Sequence, residues 1–227
     1  MAISTDLKYK LYEKAVQNHD ADIEFLNDEF KRINGRDPLS LREDFGGTAA
    51  MACDWVKQGK EHIAWGIDLD SEPIRFGVEN HYSRLTKEEK ERMKYVEGNV
   101  LNSFDFKSDV IVAFNFSYFI FKKRKQLVEY FSKVREGLKD DGIFFVDIFG
   151  GTECRQELEE ETDHGKFTYF WDCDSFNPLT EEVQYYIHFK THKDGKKYKR
   201  VFSYDWRMWS IGEIKDIMED AGFSKTI

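Results

Sequence analysis

The chain has few of the residues that mark disulfide-stapled or zinc-binding proteins. It contains only three cysteines and three prolines among its 227 residues. Cys53, Cys154 and Cys173 show neither a C-x-x-C pair nor a His-Cys ligand spacing, which argues against a disulfide framework and a structural zinc site. This cysteine usage indicates a reducing, cytoplasmic compartment, and we expect no metal ion.

Long apolar runs and an excess of positive charge are also absent. No run approaches the ~18 apolar residues of a membrane span, and the N-terminal residues lack the apolar core of a signal peptide. The 34 basic residues are outnumbered by 43 acidic ones, and the resulting charge of −9 disfavours a nucleic-acid partner. We therefore expect neither a membrane nor a nucleic acid as partner.

What is present is an alternation of helical and strand patterns. Two helical segments between residues 5 and 32 precede five strands that are separated by helices, which predicts a doubly wound, mostly parallel α/β sheet. The predicted strands are 39–43, 62–69, 93–97, 109–114 and 143–149. After residue 151 the pattern changes to strands at 166–171, 182–192 and 198–206, which predicts an antiparallel β appendage over the carboxyl ends of the parallel strands.

These patterns predict three divisions of the chain. They are a helical cap over 1–38, an α/β core over 39–151 and 207–227, and an antiparallel substrate lid over 152–206. A helix over 211–221 is followed by the beginning of a further strand at Phe223. If no other segment pairs with the sheet edge there, the unpaired edge favours association, so a homodimer is left open.

The most informative stretch follows the first predicted strand. Glu43 is followed by Gly46-Gly47 and then at once by a helix, and the second strand ends at Asp68. An acid before a glycine turn and an acid at the next strand end form the arrangement with which α/β proteins hold a nucleotide-like ligand.

The order of these pieces, over roughly residues 39–150, resembles the class I methyltransferases, which use S-adenosylmethionine. The family's first motif reads acid-x-Gly-x-Gly-x-Gly. Glu43 takes the acid position, Gly47 the middle glycine and Ala49 the last, whereas Phe45 falls where the first glycine belongs and Gly46 follows it. The resemblance implies that S-adenosylmethionine is the cofactor.

The same resemblance implies the remaining donor contacts. Asp68 accepts hydrogen bonds from the ribose hydroxyls, and Leu69 lies on the adenine face. Asn99, followed by Val100, stands where the family has an acid that reads the adenine amino group. Arg42 is a further candidate for the donor's carboxylate, although strand alternation points it away from Glu43. The predicted cofactor-binding residues are Glu43, Phe45, Gly46, Gly47, Asp68, Leu69, Asn99, Val100 and Asn115.

The fourth strand ends in Asn115-Phe116-Ser117-Tyr118, which partly resembles the N-P-P-Y motif of amino-group methyltransferases but lacks both prolines. The resemblance implies that Asn115 and Tyr118 are catalytic, with Asn115 accepting hydrogen from the attacking nitrogen. The alternative is that these residues satisfy backbone groups and pack at a strand end. From the aromatic appendage we predict substrate contacts by cation–π interaction or shape at Trp171, Tyr186, His188 and Trp206.

The interpretation is therefore a methyltransferase acting on a small molecule, with N-methylation slightly favoured over O-methylation. Two alternatives stay open. The first is a non-catalytic binding or scaffold protein with the same fold, which Phe45 and Asn99 favour. The second is an NAD(P)-binding Rossmann enzyme, which is less favoured because the turn lacks G-x-G-x-x-G.

Overall fold

The computed structural model describes residues 3–227 and divides the chain into two compact units. The parallel-sheet unit comprises 18–117, 128–147 and 218–227, and the antiparallel-sheet unit comprises the N-terminal residues to 17, 118–127 and 148–217. These divisions differ from the predicted cap, core and lid, since the two N-terminal helices belong to different units.

The parallel-sheet unit is built on five strands in the order β3-β2-β1-β4-β5, and each pair of neighbours is parallel. β4 is buried at every residue because its sequence is mostly apolar, whereas β1 is buried at every residue although Leu41 is its only apolar side chain. Residue 43 of the first strand pairs with Gly66 on one side and with Val112 on the other. The strands are β1 (Ser40–Asp44), β2 (Ile63–Asp68), β3 (Met93–Glu97), β4 (Ser108–Ala113) and β5 (Leu138–Val146).

Helices on this sheet bury their apolar faces. The core includes Leu26 and Phe30 of α2, Trp55 of α3, and Leu41 and Val110 of the sheet, all without exposed surface. The helices are α2 (His19–Asn34), α3 (Ala50–Trp55), α4 (Ser71–Asn80), α5 (Lys87–Arg92) and α6 (Arg124–Gly137), whose first turn belongs to the other unit. Gly35, in the left-handed conformation, ends α2.

The antiparallel-sheet unit holds four strands in the order β6-β7-β8-β9. Leu11 of α1 packs on one face of this sheet with Phe167, Ile187 and Phe189. The elements of this unit are α1 (Thr5–Val16), β6 (Leu158–Asp163), β7 (Phe167–Asn177), β8 (Glu182–Thr191), β9 (Lys197–Arg207) and α7 (Ile211–Asp220), whose last residues count with the other unit.

The predicted fold class is confirmed, with two local corrections. Strand β6 was not predicted, because its six residues are all exposed and four of them are acidic, so no apolar alternation marks it. The strand predicted from Phe223 onward is wrong, since 223–227 form no strand. Among residues 3–227, no helix has both the length and the apolar character that crossing a membrane requires.

Candidate functional site

The carboxyl ends of β1, β2 and β4 bring the predicted donor residues to one edge of the parallel sheet. Because β1 lies between β2 and β4, the direction of winding reverses beside it, and α/β proteins bind ligands outside the carboxyl ends at such a point. Asp44 ends β1, Asp68 ends β2 and Ala113 ends β4. The turn after β1 and the turn after β4 therefore face the same crevice.

The turn after β1 is tied to the end of β2 by hydrogen bonds. The Gly46 N–H donates to the Ile67 carbonyl at 2.8 Å, and the Gly47 N–H donates to Asp68 Oδ2 at 2.7 Å. Phe45, Gly47 and Ala49 all adopt positive φ, at 55°, 55° and 48°. Phe45 thus takes the backbone conformation that a glycine would supply, at a cost of roughly 1–2 kcal/mol for a non-glycine residue.

Glycines on neighbouring elements make room for Thr48 and Ala49 of this turn. A Cβ on Gly66 of β2 would lie 2.3 Å from the Ala49 Cβ, and one on Gly77 of α4 would lie 2.0 Å from the Thr48 carbonyl oxygen. The sequence contains this signal, since glycine inside a strand or a helix marks a close approach of another backbone. Ala49, which stands where the motif has its last glycine, therefore fits because Gly66 of β2 has no side chain.

The two predicted acids lie on either side of this turn. Glu43 is buried, its Oε2 accepts the Ala52 N–H at 3.1 Å, and burial raises its pKa to about 7. Asp68 accepts N–H groups from Gly47 and Asp70, and burial raises its pKa too. A carboxylate has about four lone-pair sites, so Asp68 retains acceptor capacity for hydroxyl groups of a ligand.

The predicted adenine contacts lie at the ends of β2 and β3. The Gly98 N–H donates to the Asp68 carbonyl at 2.8 Å, which holds the two strand ends together. Leu69 is 70% exposed, whereas the Val100 side chain is buried. Asn99 is exposed, but its Oδ1 accepts the Leu101 N–H at 2.9 Å, so one amide acceptor site already serves the loop.

The turn after β4 has a second left-handed segment, in which φ is 56° at Asn115 and 57° at Phe116. Asp147, directly after β5, accepts the Asn115 N–H at 2.7 Å and the Phe116 N–H at 3.0 Å. Burial raises the pKa of Asp147 to about 6, against the lowering effect of these two bonds. Sequence reasoning missed Asp147, although an acid at the end of a buried strand was a usable signal.

Comparisons with solved structures find the same fold at low sequence identity. Neither a protein-family model nor a curated protein matches the sequence. A solved S-adenosylmethionine-dependent methyltransferase from Clostridium acetobutylicum is 19% identical, with 94% of this chain and 85% of that chain covered and a TM-score of 0.74.

Two further solved structures are similar. KedS8, a sugar N-methyltransferase from Streptoalloteichus, is 12% identical, with 98% and 85% of the chains covered and a TM-score of 0.69. CalS10, an amino pentose methyltransferase from Micromonospora solved with S-adenosylmethionine bound, is 10% identical, with 98% and 89% covered and a TM-score of 0.72. The chain has the class I methyltransferase fold.

Within this methyltransferase fold, two predicted roles need correction. Tyr118 has no exposed surface, and its ring packs edge-on against Phe119 with centroids 5.0 Å apart, so it cannot stack on an acceptor. Arg42 is also fully buried. Its guanidinium donates to both carboxylate oxygens of Asp44, at 2.7 and 3.0 Å, and is not available to a donor carboxylate.

The four predicted substrate contacts do not share one surface. Trp171 is opposite Ile187, and Trp206 is opposite Val183, which places both tryptophans on the face of the antiparallel sheet that α1 covers. Their ring centroids are 6.1 Å apart. Tyr186 and His188 project from the opposite face, because they alternate with Ile187 along β8. The two tryptophans and the pair Tyr186 and His188 therefore cannot contact a substrate from the same face of the sheet.

His188 is also fixed by contacts within its own sheet. Its Nδ1 accepts the Arg200 N–H at 2.7 Å, so Nε2 carries the proton and donates to Asp172 Oδ2 at 3.0 Å. Glu159 lies near the same nitrogen, and these three side chains have the proximity of metal ligands. A metal at Nε2 would have to displace that proton while Nδ1 faces a donor, so the hydrogen bonds do not fit a metal site.

Proposed function

We propose that this chain is an S-adenosylmethionine-dependent methyltransferase that acts on a small molecule. The observation that carries the proposal is the turn after β1, whose Gly47 N–H is bound to the Asp68 carboxylate at 2.7 Å at the switch point of the sheet. Such a turn directs acidic oxygens at the ligand. The donor's sulfonium and ammonium groups are cationic, whereas a dinucleotide would bring two phosphates to the same turn.

The residues present fit this donor. A Cβ on Gly47 would meet nothing within 4 Å, so the turn is open on that side. We propose that Asp68 accepts hydrogen bonds from the ribose hydroxyls and that Glu43 contacts the donor's methionine end. Leu69, Asn99 and Val100 would surround the adenine. Phe45, Gly46 and Gly47 would form the wall along the donor. When bound, the donor supplies an electrophilic methyl group.

The chain's own contribution to the transfer is mainly positioning, because an aligned nucleophile needs little else for an in-line displacement. We propose that Asn115, held by its left-handed backbone at the end of β4, accepts a hydrogen bond from the attacking group. An amide oxygen suits an amine nucleophile, so N-methylation is favoured over O-methylation. Trp171 and Trp206 remain proposed contacts of the acceptor. A cytoplasmic location, the absence of a nucleic-acid partner and a homodimer remain predictions.

Isothermal titration calorimetry tests the donor site. Purified protein is titrated with S-adenosylhomocysteine, S-adenosylmethionine and, separately, NADH. We expect micromolar binding of the two sulfur ligands, loss of that binding in Asp68→Ala, and unchanged binding in Asp105→Ala, which removes an exposed acid of the same unit. Thermal melting of each variant separates loss of binding from loss of fold.

Either ligand result decides the proposal. Absence of binding by both sulfur ligands in the folded wild-type protein would overturn it in favour of the scaffold alternative, and binding of NADH alone would favour the dehydrogenase alternative. If the donor binds, methyl transfer from labelled S-adenosylmethionine to a panel of small primary amines and to the matching alcohols tests the preference for nitrogen.

A further inference from the structure

Phe45 occupies a position in the turn after β1 at which its backbone conformation is intrinsically unfavourable. With φ at 55°, it adopts the left-handed region that glycine enters freely. The residue is half-buried. A conformation of this kind persists only where surrounding contacts determine it. In this turn, the packing of the Phe45 ring supplies such a contact.

The ring of Phe45 packs edge-on against the ring of Tyr130 in α6, with centroids 5.5 Å apart and an interplanar angle of 68°. This is a favoured arrangement for an aromatic pair. The Tyr130 ring is itself fixed, because its hydroxyl donates to Asp44 Oδ2 at 2.9 Å and the side chain has no exposed surface. Asp44 is the residue immediately before Phe45, so the contact closes a short loop between β1 and α6.

Asp44, which accepts that hydroxyl bond, is also bound by Arg42. Arg42 binds both oxygens of Asp44, and its guanidinium lies 4.7 Å from the ring centroid of Phe104. At the end of α6, a Cβ on Gly137 would lie 2.6 Å from Arg42 Nη1, so the helix has a glycine where the arginine passes. Direct contacts thus link Phe45, which is half-buried, to the buried residues Tyr130, Asp44 and Arg42. These four residues are hereafter called the Tyr130 support.

We propose that Tyr130 is a positioning residue for the donor turn, and that it holds Phe45 in the left-handed conformation where the methyltransferase motif has its first glycine. This inference rests on the proposed function, since it assigns Tyr130 a role in donor binding without contact to the donor. It also explains how the motif tolerates a bulky residue, because the Phe45 ring, which stands in place of the glycine, is the group through which Tyr130 of α6 contacts the turn.

A double-mutant cycle with two readouts tests the role of Tyr130. Tyr130→Phe keeps the ring and removes the hydroxyl bond, and Phe45→Gly removes both the ring and the need for support. The first readout is the Kd for S-adenosylhomocysteine by calorimetry. The second is amide hydrogen exchange in the ligand-free protein at Gly46, Gly47 and Ala49, whose N–H groups bond within the turn or to β2. Tyr82→Phe, which removes a hydroxyl bond to the Lys90 carbonyl, is the matched control.

In the wild-type background we expect Tyr130→Phe to weaken binding about 3- to 10-fold, because a smaller fraction of molecules holds the competent turn. Exchange of the three turn amides should quicken by a similar factor, while exchange in β3 changes little. In the Phe45→Gly background, Tyr130→Phe should change neither readout more than about 1.5-fold. Tyr82→Phe should change neither in either background.

Unchanged turn exchange in Tyr130→Phe would overturn the inference, and so would an equal effect of Tyr130→Phe with and without Phe45. Uniformly faster exchange in the turn and in β3 would also overturn it, because that result describes a general loss of stability. Failure of the proposed function is distinguishable, since it would appear as absence of binding by the wild-type protein while the exchange cycle still reports on the support.

Discussion

The turns after β1 and β4 both place non-glycine residues in the left-handed region, yet they are stabilised by different kinds of contact. After β1, the ring of Phe45 is held by Tyr130, and the charge that anchors Tyr130 is buried with its own counter-ion. After β4, the Asp147 carboxylate accepts the N–H groups of Asn115 and Phe116 directly. One turn is supported through side chains and the other through its backbone.

This difference determines how each turn is disturbed. Successive N–H groups that converge on one carboxylate form an anion-binding concavity, here occupied by the protein's own Asp147. A single altered oxygen therefore affects the turn after β4 at once. The turn after β1 depends on a chain of contacts from Arg42 through Asp44 and Tyr130, so it responds to residues that do not touch it. Mutations that disturb the two turns should thus differ in how much stability they remove and in how far from the turn the mutated residue can lie.

The largest effect is expected from Arg42→Met. Removing the arginine leaves Asp44 as a buried carboxylate whose pKa burial already raises. Removal of one partner from a buried ion pair typically costs about 3–5 kcal/mol of the free energy of unfolding. Urea denaturation measures the loss, with Arg84→Met, at an exposed arginine, as the control. A loss no larger than that of the control would show that the pair does not stabilise the β1 turn.

Asp147→Asn tests the turn after β4 and should have the next largest effect. The amide presents one oxygen and one NH2 group, so one of the two backbone N–H groups loses its acceptor. A buried donor without a partner costs roughly 1–3 kcal/mol. We expect that loss in urea denaturation, and faster hydrogen exchange confined to Asn115 and Phe116. Asp140→Asn, on the exposed part of β5, is the control. Slow exchange at both amides in the variant would contradict this account of the turn.

The sequence predicted the parallel sheet because short strand patterns alternate with helical patterns along the chain. It also indicated the strand ends at which the candidate site lies, since Glu43 and Asp68 lie at the carboxyl ends of β1 and β2 and Asn115 follows β4. Strand β6 could not be found in this way. Its acidic residues face solvent, and its pairing with β7 comes from tertiary contacts that local pattern does not contain.

Residue-level roles were harder to predict for a related physical reason. The buried state of Tyr118 depends on contacts that local pattern does not contain. Arg42 and Asp44, in contrast, are only two residues apart on β1 and project to the same face, so alternation did contain their pairing. Alternation along β8 did contain the separation of His188 and Tyr186 from the two tryptophans, because neighbouring residues of a strand project to opposite faces. Aromatic content alone did not distinguish those faces.

Gly66→Ala sharpens the account of the turn after β1, with a further expected cost of about 1–3 kcal/mol from overpacking. The new methyl group would lie 2.3 Å from the Ala49 Cβ. The double variant Ala49→Gly/Gly66→Ala exchanges the two residues and should recover most of the lost stability, as measured by urea denaturation. If the double variant is no more stable than Gly66→Ala alone, the contact between these two positions is not what requires glycine in β2.

An effect of opposite sign is expected from Glu43→Gln. The folded-state pKa of Glu43, about 7, exceeds its ordinary 4.5, so the folded protein binds this proton more tightly than the unfolded chain. The stability that this proton contributes is complete below about pH 4.5 and is lost as pH rises through 7. Glutamine removes the buried charge, so the variant should melt higher than wild type at pH 8, by about 2–4 °C per kcal/mol gained, and the difference should vanish near pH 5. Glu97→Gln, at an exposed acid, should show no such pH-dependent difference.

A Glu43→Gln protein that melts below wild type at pH 8 would mean that the carboxylate stabilises the turn. The expected result would mean instead that this acid is kept at the expense of stability, which is typical of a group required for binding.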